Sequence, residues 1–442
     1  MKVLFISLGC DKNLVDSENM LGLLTKKGYA LTDDEASADV IVINTCCFIN
    51  DAKEESINTI LEMAEYRKEG SCKALIVTGC LAQRYRQEIL DEIEEVDAVL
   101  GTTSYDKLLD AIEEVLGGNR AGVQVDSLEL LPKVDAKRVL TTGGHYAHLK
   151  IAEGCDKHCT YCIIPKIRGK YRSVPMEELV AEATELAGDG VKELILVAQE
   201  TTIYGVDLYG KKMLPALLRE LCKIKGIRWI RLQYCYPEEI TEELVQTIKE
   251  EPKVCHYLDM PIQHASDRIL KRMGRRTTRA HIEEQIENLR REIPDICLRT
   301  TLISGFPGET EEDHEELMDF VDTNEFDRLG VFAYSPEENT PAAEMPDQVD
   351  EDLKAERRDE IMELQQEISF DKANDMIGKE LLVMVEGQVS GENAYVCRTY
   401  RDAPGVDGYL FLNTDETLVS GDFAKVRVTG ALEYDLIGEL DV

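Results

Sequence analysis

Apolar and polar positions are arranged along the chain in three textures. From Lys2 to about Asn119, short apolar runs alternate with longer segments of helical period. Val3–Ser7, Val40–Asn44, Ala74–Thr78 and Ala98–Leu100 read as strands, and Val15–Lys27, Ala52–Arg67 and Gln83–Glu94 as amphipathic helices. This alternation predicts a doubly wound α/β domain around a parallel sheet. The stretch Asp126–Gly144 lacks either period and reads as a linker.

From His145 the alternation resumes. Strands are expected at Ala147–Ala152, Glu193–Ala198, Trp229–Tyr234, His256–Pro261, Leu298–Ser304 and Leu329–Tyr334. Helices are expected at Met176–Ala187, Leu214–Lys223, Glu242–Lys249, His281–Glu292 and Glu311–Asp322. Six β/α repeats predict an open, partial (β/α)6 barrel with its sites at the carboxyl ends of the strands. A long helical pattern, Glu351–Met376, then leads into a β texture. Leu381–Glu386, Tyr395–Arg398, Tyr409–Leu412, Ala424–Thr429 and Asp435–Leu440 are divided by turn residues and predict a small antiparallel barrel. The expected division is 1–125, a linker at 126–144, a core at 145–345, a helical connector at 346–376 and a β-barrel at 377–442.

Length and composition add limits. A chain of 442 residues, 43% hydrophobic, suits about three domains with real cores. No run approaches the roughly 18–20 apolar residues of a membrane helix, and Met1–Ile6 reads as a first strand, not an export signal. Thirteen cysteines, an odd number, favour a reducing cytoplasm over a disulfide framework. The net charge of −36 repels phosphate backbones and favours a basic partner, although a general solubility bias would produce it too.

Against this background Cys155-Asp156-Lys157-His158-Cys159-Thr160-Tyr161-Cys162 stands out, placed directly after a strand. Three thiolates can hold three irons of a 4Fe–4S cluster and leave the fourth open to a small molecule. A closed zinc site, the alternative, wants four ligands, and only His158 lies within the motif to supply one. In the first domain Cys10, Cys46 and Cys80 each follow a strand and lead into a helix. Loops at the carboxyl ends of neighbouring parallel strands converge, so these three thiols can form a second site. Convergence alone leaves a cluster and ordinary thiols equally open. Cys47 and Cys72 do not share the placement and read as ordinary residues.

The Cys155–Cys162 stretch, with Tyr161 before its last cysteine, resembles the signature of radical S-adenosylmethionine enzymes. Ser7-Leu8-Gly9-Cys10-Asp11-Lys12-Asn13, Asp16-Ser17-Glu18, Asn44-Thr45-Cys46 and Thr78-Gly79-Cys80-Leu81-Ala82-Gln83-Arg84-Tyr85 resemble the amino-terminal domain of the methylthiotransferases, and the resemblance spans essentially the whole chain. It implies two 4Fe–4S clusters, on Cys10, Cys46 and Cys80 and on Cys155, Cys159 and Cys162, with S-adenosylmethionine on the open iron as a radical source. Cys47 stands where family members often carry a small residue, and Cys46 is taken as the ligand.

The resemblance also implies cofactor contacts. Gln199-Glu200-Thr201 takes the place of the segment that binds the methionyl amine, where a glutamate and an amide offer acceptors to an ammonium. Gln263 and His264 fall where ribose or carboxylate contacts are expected, and Gly305 in a loop expected near the adenine. Phe332 and Tyr334 belong to the sixth strand and the loop after it. His264 reads equally as a structural histidine, and the Gly305 loop equally as a tight turn. The basic run Lys271-Arg272-Met273-Gly274-Arg275-Arg276 with Arg279 reads as a cradle for an acidic group or as a solvated helix face.

The tail resembles the TRAM domain, which binds RNA in tRNA-modifying relatives. From Asp371 onward it holds six Lys or Arg against fourteen Asp or Glu, whereas an RNA platform wants a basic stripe. Its acids, Asp402, Asp407, Asp415 and Glu416 among them, suit a basic protein. The Ser7–Asn13 signature is closer to the branch that modifies the β-carbon of an aspartate in the twelfth small-subunit ribosomal protein than to the tRNA branches. The expected partners are that basic ribosomal protein and an electron donor of unknown identity, without a membrane. Methylthiolation of a tRNA adenosine and a non-enzymatic metal scaffold stand as alternatives.

Overall fold

Val40–Thr45 and Ala74–Gly79 are buried along their whole length, as strands must be when helices cover both faces of a parallel sheet. In the computed structural model, which describes residues 1–441, they form the centre of the first of two compact units. That unit comprises Met1–Thr141, Ala152–Val174 and Ser335–Ala343. Its strands are β1 (Lys2–Ser7), β2 (Ala30–Thr32), β3 (Val40–Thr45), β4 (Ala74–Gly79), β5 (Ala98–Leu100) and β6 (Gly122–Gln124), in the order β2-β1-β3-β4-β5-β6. All pairs are parallel. The helices α1 (Asp11–Lys27), α2 (Asn50–Glu69), α3 (Cys80–Tyr85), α4 (Gln87–Glu92) and α5 (Leu108–Leu116) connect them. One core packs around Ile41, Ile43 and Val77, the other around Val40, Val42 and Ile76, so alternate residues of each strand feed opposite faces.

Two details differ from the periodicity. The helix expected over Gln83–Glu94 starts at Cys80 and breaks at Arg86, whose φ of 43° is incompatible with a continuous helix. The flanking strands β2 and β6 are not fully buried and carry polar residues or glycine, so they lack the apolar run that marks the equally short β5.

The second unit comprises Thr142–Ile151, Pro175–Tyr334 and the chain from Glu344 onward. Its sheet contains β7 (Tyr146–Lys150), β8 (Glu193–Val197), β9 (Trp229–Leu232), β10 (Val254–Asp259), β11 (Cys297–Ser304) and β12 (Arg328–Ala333). These lie side by side in chain order, all parallel, with β7 and β12 as free edges. The expected open, partial barrel of six β/α repeats is therefore present.

The tail forms a closed barrel of β13 (Glu380–Gln388), β14 (Ala394–Thr399), β15 (Leu410–Asn413), β16 (Phe423–Ala431) and β17 (Leu436–Leu440), ordered β13-β14-β15-β17-β16. Four pairs are antiparallel, but β15 and β17 are parallel. The expected small antiparallel barrel is therefore present, with one parallel seam that the sequence pattern does not indicate. Strand directions cannot alternate all the way round a closed ring of five, so one parallel pair is unavoidable.

The barrel packs against the amino ends of the sheet strands. Trp229, Cys255, Tyr257 and Cys297 share an apolar cluster with Met384 and Ala403. Ion pairs surround it: Arg328 to Asp402 at 2.5 Å, Arg299 to Asp407 at 3.3 Å and Arg401 to Asp327 at 2.6 Å. Asp402 and Asp407, expected among the acids facing a partner, are instead enclosed here, their side chains 3% and 2% exposed. Burial leaves the opposite edge of the sheet, where the strands end, for other uses.

Candidate functional site

The first cysteine set is held by side chains that tie its three loops together. Cys10 stands at the amino end of α1 in an extended conformation (φ −87°, ψ 171°). Asn13, one turn on, donates from Nδ2 to the Leu8 carbonyl at 2.7 Å and the Thr45 carbonyl at 3.0 Å, joining the Cys10 and Cys46 loops. Thr45 Oγ1 donates to the Thr78 carbonyl at 2.5 Å, joining the Cys46 and Cys80 loops. Ser56 accepts from the Cys46 amide at 3.0 Å and donates to the Cys46 carbonyl at 2.8 Å. Gly9, at φ 90°, is obligatory: a Cβ there would lie 2.7 Å from the Cys46 Cβ.

The thiols lie close enough to influence one another. Burial pushes the Cys80 thiol well up, with Cys47, Cys46 and Cys10 adding to it and Arg168 opposing. Burial likewise raises the Cys46 thiol, and nearby Cys10 adds to that. Without metal such thiols stay protonated, and a soft metal that takes them as thiolates must displace those protons. Cys47 is fully buried, its thiol pushed up to about 12 chiefly by burial, and packs in the apolar core. Cys72 donates to the Ala74 carbonyl at 3.2 Å.

The second set belongs to the same unit. A short ribbon, Ala152–Glu153 paired with Arg172–Ser173, brackets its loop, and the Cys155 amide donates to the Gly169 carbonyl at 3.1 Å. Cys155 and Cys159 are buried, and burial with Cys159 and Cys155 nearby pushes the Cys162 thiol up. His158 is exposed and carries a φ of 55°. It turns away from the packed interior that encloses Cys155 and Cys159.

Among the described residues no three Cys, His, Asp or Glu side chains crowd closely enough to share a single ion. A cubane cluster takes one thiolate per iron, so its ligands occupy separate corners and need no such crowding. Each set thus offers the soft donors a 4Fe–4S cluster requires.

A fully buried guanidinium, on the segment that follows Cys162, reaches the first set and the strand that precedes Cys155. Arg168 donates from Nη1 to Asp16 at 2.8 Å and Glu153 at 3.2 Å, and from Nη2 to Asn13 Oδ1 at 2.7 Å and Cys80 Sγ at 3.4 Å. Sequence reasoning missed it, because only the fold shows that four partners so distant along the chain converge on it.

In the second unit every expected cofactor contact falls at the carboxyl ends of the strands. Gln199 is half-buried and Glu200 enclosed, one Glu200 oxygen held by the Thr202 amide at 3.0 Å and the Thr202 hydroxyl. Gln263 has a φ of 74° and bridges to Leu302. Left-handed backbone at a side chain of this size is a strained conformation of the kind that clusters at ligand sites; Tyr234, at φ 60° and unremarked in the sequence, is another. Phe332 is 53% exposed on the edge strand, whereas Tyr334 is buried against Phe306.

Two of these residues have protein partners of their own. His264 is fully enclosed: Nδ1 accepts from the amides of Ala265 and Ser266 at 3.0 and 2.9 Å, and Nε2 lies 3.4 Å from Glu309. Gly305 (φ 68°) faces Lys354, whose Cγ would lie 2.2 Å from an added Cβ. The basic run is largely consumed internally. Arg275 is buried over the Tyr236 ring, Arg272 donates to the Pro307 carbonyl, and Arg279 pairs with Glu283 and Asp319.

Comparison with known proteins agrees with this geometry. Residues 2–101 match the uncharacterized protein family UPF0004, residues 149–321 the Radical SAM superfamily and residues 377–440 the TRAM domain. The chain is 65% identical over 438 residues to the ribosomal protein uS12 methylthiotransferase RimO of Lachnoclostridium phytofermentans, covering 99% of each chain. It is 51% identical over 443 residues to the RimO of Clostridioides difficile, covering 100% of this chain and 99% of that one. Among solved structures, the radical S-adenosylmethionine methyltransferase TsrM from Kitasatospora setae, with cobalamin and a [4Fe-4S] cluster bound, shares the fold. It does so at a TM-score of 0.56 and 15% identity, over 77% of this chain and 76% of that one. End-to-end identity at this level, in a chain that carries two sets of three cysteines, is decisive: the chain belongs to the ribosomal protein uS12 methylthiotransferases, the RimO family of radical S-adenosylmethionine enzymes.

Proposed function

We propose that this enzyme inserts a methylthio group at the β-carbon of an aspartate in ribosomal protein uS12. In this reading Cys10, Cys46 and Cys80 hold one 4Fe–4S cluster, and Cys155, Cys159 and Cys162 the other. The observation that carries it is the presence of two three-thiol sets in one compact unit, with the Arg168 guanidinium bonded to groups of both loops. When bound, the clusters and S-adenosylmethionine supply the electron and the radical that an unactivated C–H bond demands.

The chain's own residues bind and orient. Gln199 and Glu200 offer acceptors to the methionyl ammonium, with Thr202 fixing one Glu200 oxygen. Phe332 presents an exposed apolar ring that suits a flat base. His264 and Gly305 act one step back: the imidazole holds the turn after β10, and the glycine lets the Lys354 helix approach the loop after β11. The acids left exposed on the barrel, Asp415 and Glu416 among them, face a basic protein in a reducing cytoplasm, where a separate electron donor serves the clusters. The test is anaerobically loaded enzyme given S-adenosylmethionine, a reductant and uS12 in competition with tRNA. Mass spectrometry should place the added methylthio mass on a uS12 aspartate. Preferential modification of the tRNA would overturn the reading.

A further inference from the structure

We propose that Arg168 is a positioning residue for the Cys10, Cys46 and Cys80 cluster, fixing its seat against the central cysteine loop and raising its reduction potential. This rests on the cluster assignment above. Arg168 is among the largest fully buried side chains of the chain, 1% exposed. Its fork meets α1 through Asn13 and Asp16, the central loop through Glu153, and a cluster thiol through Cys80 Sγ.

The partners have distinct consequences. Asp16 and Glu153 each accept from Nη1, and Asn13 from Nη2, which fixes the plane of the guanidinium. In that plane a second Nη2 hydrogen is aimed at the sulfur, 3.4 Å away. Anchored by three oxygens, the group cannot swing off when the local charge changes. Reduction adds negative charge to a cluster, and an N–H donor with a full positive charge at a ligand sulfur stabilises the reduced form. In a buried site this effect is weakly screened. Thr102 reinforces the placement by donating to the Ile167 carbonyl at 2.8 Å, which pins the backbone next to Arg168 onto the first domain. Among the bonds recorded for the guanidinium, Cys80 is the one cluster cysteine, so the first cluster should feel Arg168 far more than the second.

A chain with Cys155, Cys159 and Cys162 changed to Ala isolates the first cluster, and one with Cys10, Cys46 and Cys80 changed to Ala isolates the second. Each is loaded anaerobically, its iron counted, and its midpoint potential measured by a redox titration followed by electron paramagnetic resonance. In the first background Arg168→Gln should shift the potential negative or cost iron while the fold, followed by circular dichroism, is kept. Arg168→Lys, which keeps charge but loses the fork, should fall between. In the second background the same changes should move the potential much less. An unchanged potential and iron count in the first background, or equal shifts in both, would overturn the proposal. If the Gln chain does not fold, the Lys chain decides by the same criterion. Failure of the first background to take up any iron with Arg168 intact would instead refute the cluster assignment beneath it.

Discussion

Glu193 and Arg398 lie 2.7 Å apart with both side chains fully withdrawn from solvent, one at the start of β8 and the other on β14. Arg231 takes the other Glu193 oxygen at 2.8 Å and donates to the Tyr400 and Thr399 carbonyls, while Arg398 Nε reaches Glu386 at 2.8 Å. His145 completes the set, with Nε2 2.9 Å from Glu386. Glu193, Arg231 and Arg398 thus join the barrel to the sheet by charges withdrawn from solvent, while Glu386 keeps some contact with water.

Removing one member should therefore cost much more than a surface pair would. Arg398→Met leaves Glu193 half-paired and Glu386 without its Arg398 bond, and is expected to destabilise the chain by roughly 3–5 kcal/mol. Urea unfolding followed by fluorescence of Trp229, which lies at this junction, would measure it. A loss below about 1 kcal/mol, the range of exposed pairs, would show that water enters the junction.

The same carboxylates give stability a pH dependence. Burial would raise the Glu193 carboxyl, but Arg398 and Arg231 outweigh it and hold it below its ordinary value. Asp402 is likewise lowered, its burial outweighed by Arg328 with help from Thr399. Groups with depressed folded pKa values contribute stability in full above the unfolded value, about 4, and lose it as pH falls through that range. Asp407 acts in the opposite sense, since burial pushes its carboxyl up despite Arg299 and Arg328. The net expectation is a urea midpoint that falls as pH drops below about 5, and a shallower fall in Arg398→Met. A steeper fall in that variant would assign the acid sensitivity elsewhere.

The two cysteine sets should have separable roles. Changing Cys155, Cys159 and Cys162 to Ala should abolish reductive cleavage of S-adenosylmethionine to 5′-deoxyadenosine. The reason is that Cys155, Cys159 and Cys162 carry the C-x3-C-x2-C spacing that resembles the radical S-adenosylmethionine signature, whereas Cys10, Cys46 and Cys80 do not. Changing Cys10, Cys46 and Cys80 should spare much of that cleavage and abolish methylthiolation. Product analysis by mass spectrometry checks both, and methylthiolated uS12 from the second variant would sink the assignment. A single Cys47→Ala change should leave iron content intact, since Cys47 lies in the apolar core. Loss of one cluster's iron would exchange its role with that of Cys46.

The apolar runs locate the central strands of both sheets, β3, β4, β8 and β9, because those strands are buried on both faces, so hydrophobicity alone marks them. Strand order in the second sheet follows from chain order, and the loop positions of the six cysteines proposed as ligands follow from strand ends. What periodicity cannot show is where a charge goes. Asp402 and Asp407 read as tail acidity yet are enclosed by Arg328 and Arg299. Arg168 stands in no motif that the sequence marks, and its meaning depends on Asn13, Asp16, Glu153 and Cys80, brought to it by the fold. The parallel pair in the barrel follows from a ring of five strands, which no local pattern along β15 or β17 reveals.

The enclosed pairs also sharpen the question of how the barrel meets a basic partner. Only acids that keep their charge in water can steer such a partner, and Glu392, Asp415, Glu416 and Glu433 are all exposed. Opposite potentials mainly raise the association rate. Changing these four to Lys should slow association with uS12 on the order of tenfold at low salt. The difference should shrink towards nothing near 1 M salt, where the screening length is about 3 Å. S-adenosylmethionine cleavage without uS12 should be unaffected. Asp402→Lys and Asp407→Lys behave differently: each places a cation beside buried arginines and should lower the urea midpoint instead. Stopped-flow association rates across a salt series, run beside urea melts, separate the two effects. If the four exposed reversals leave the association rate unchanged at low salt, the barrel's acidity serves solubility and the recognition of uS12 lies elsewhere on the chain.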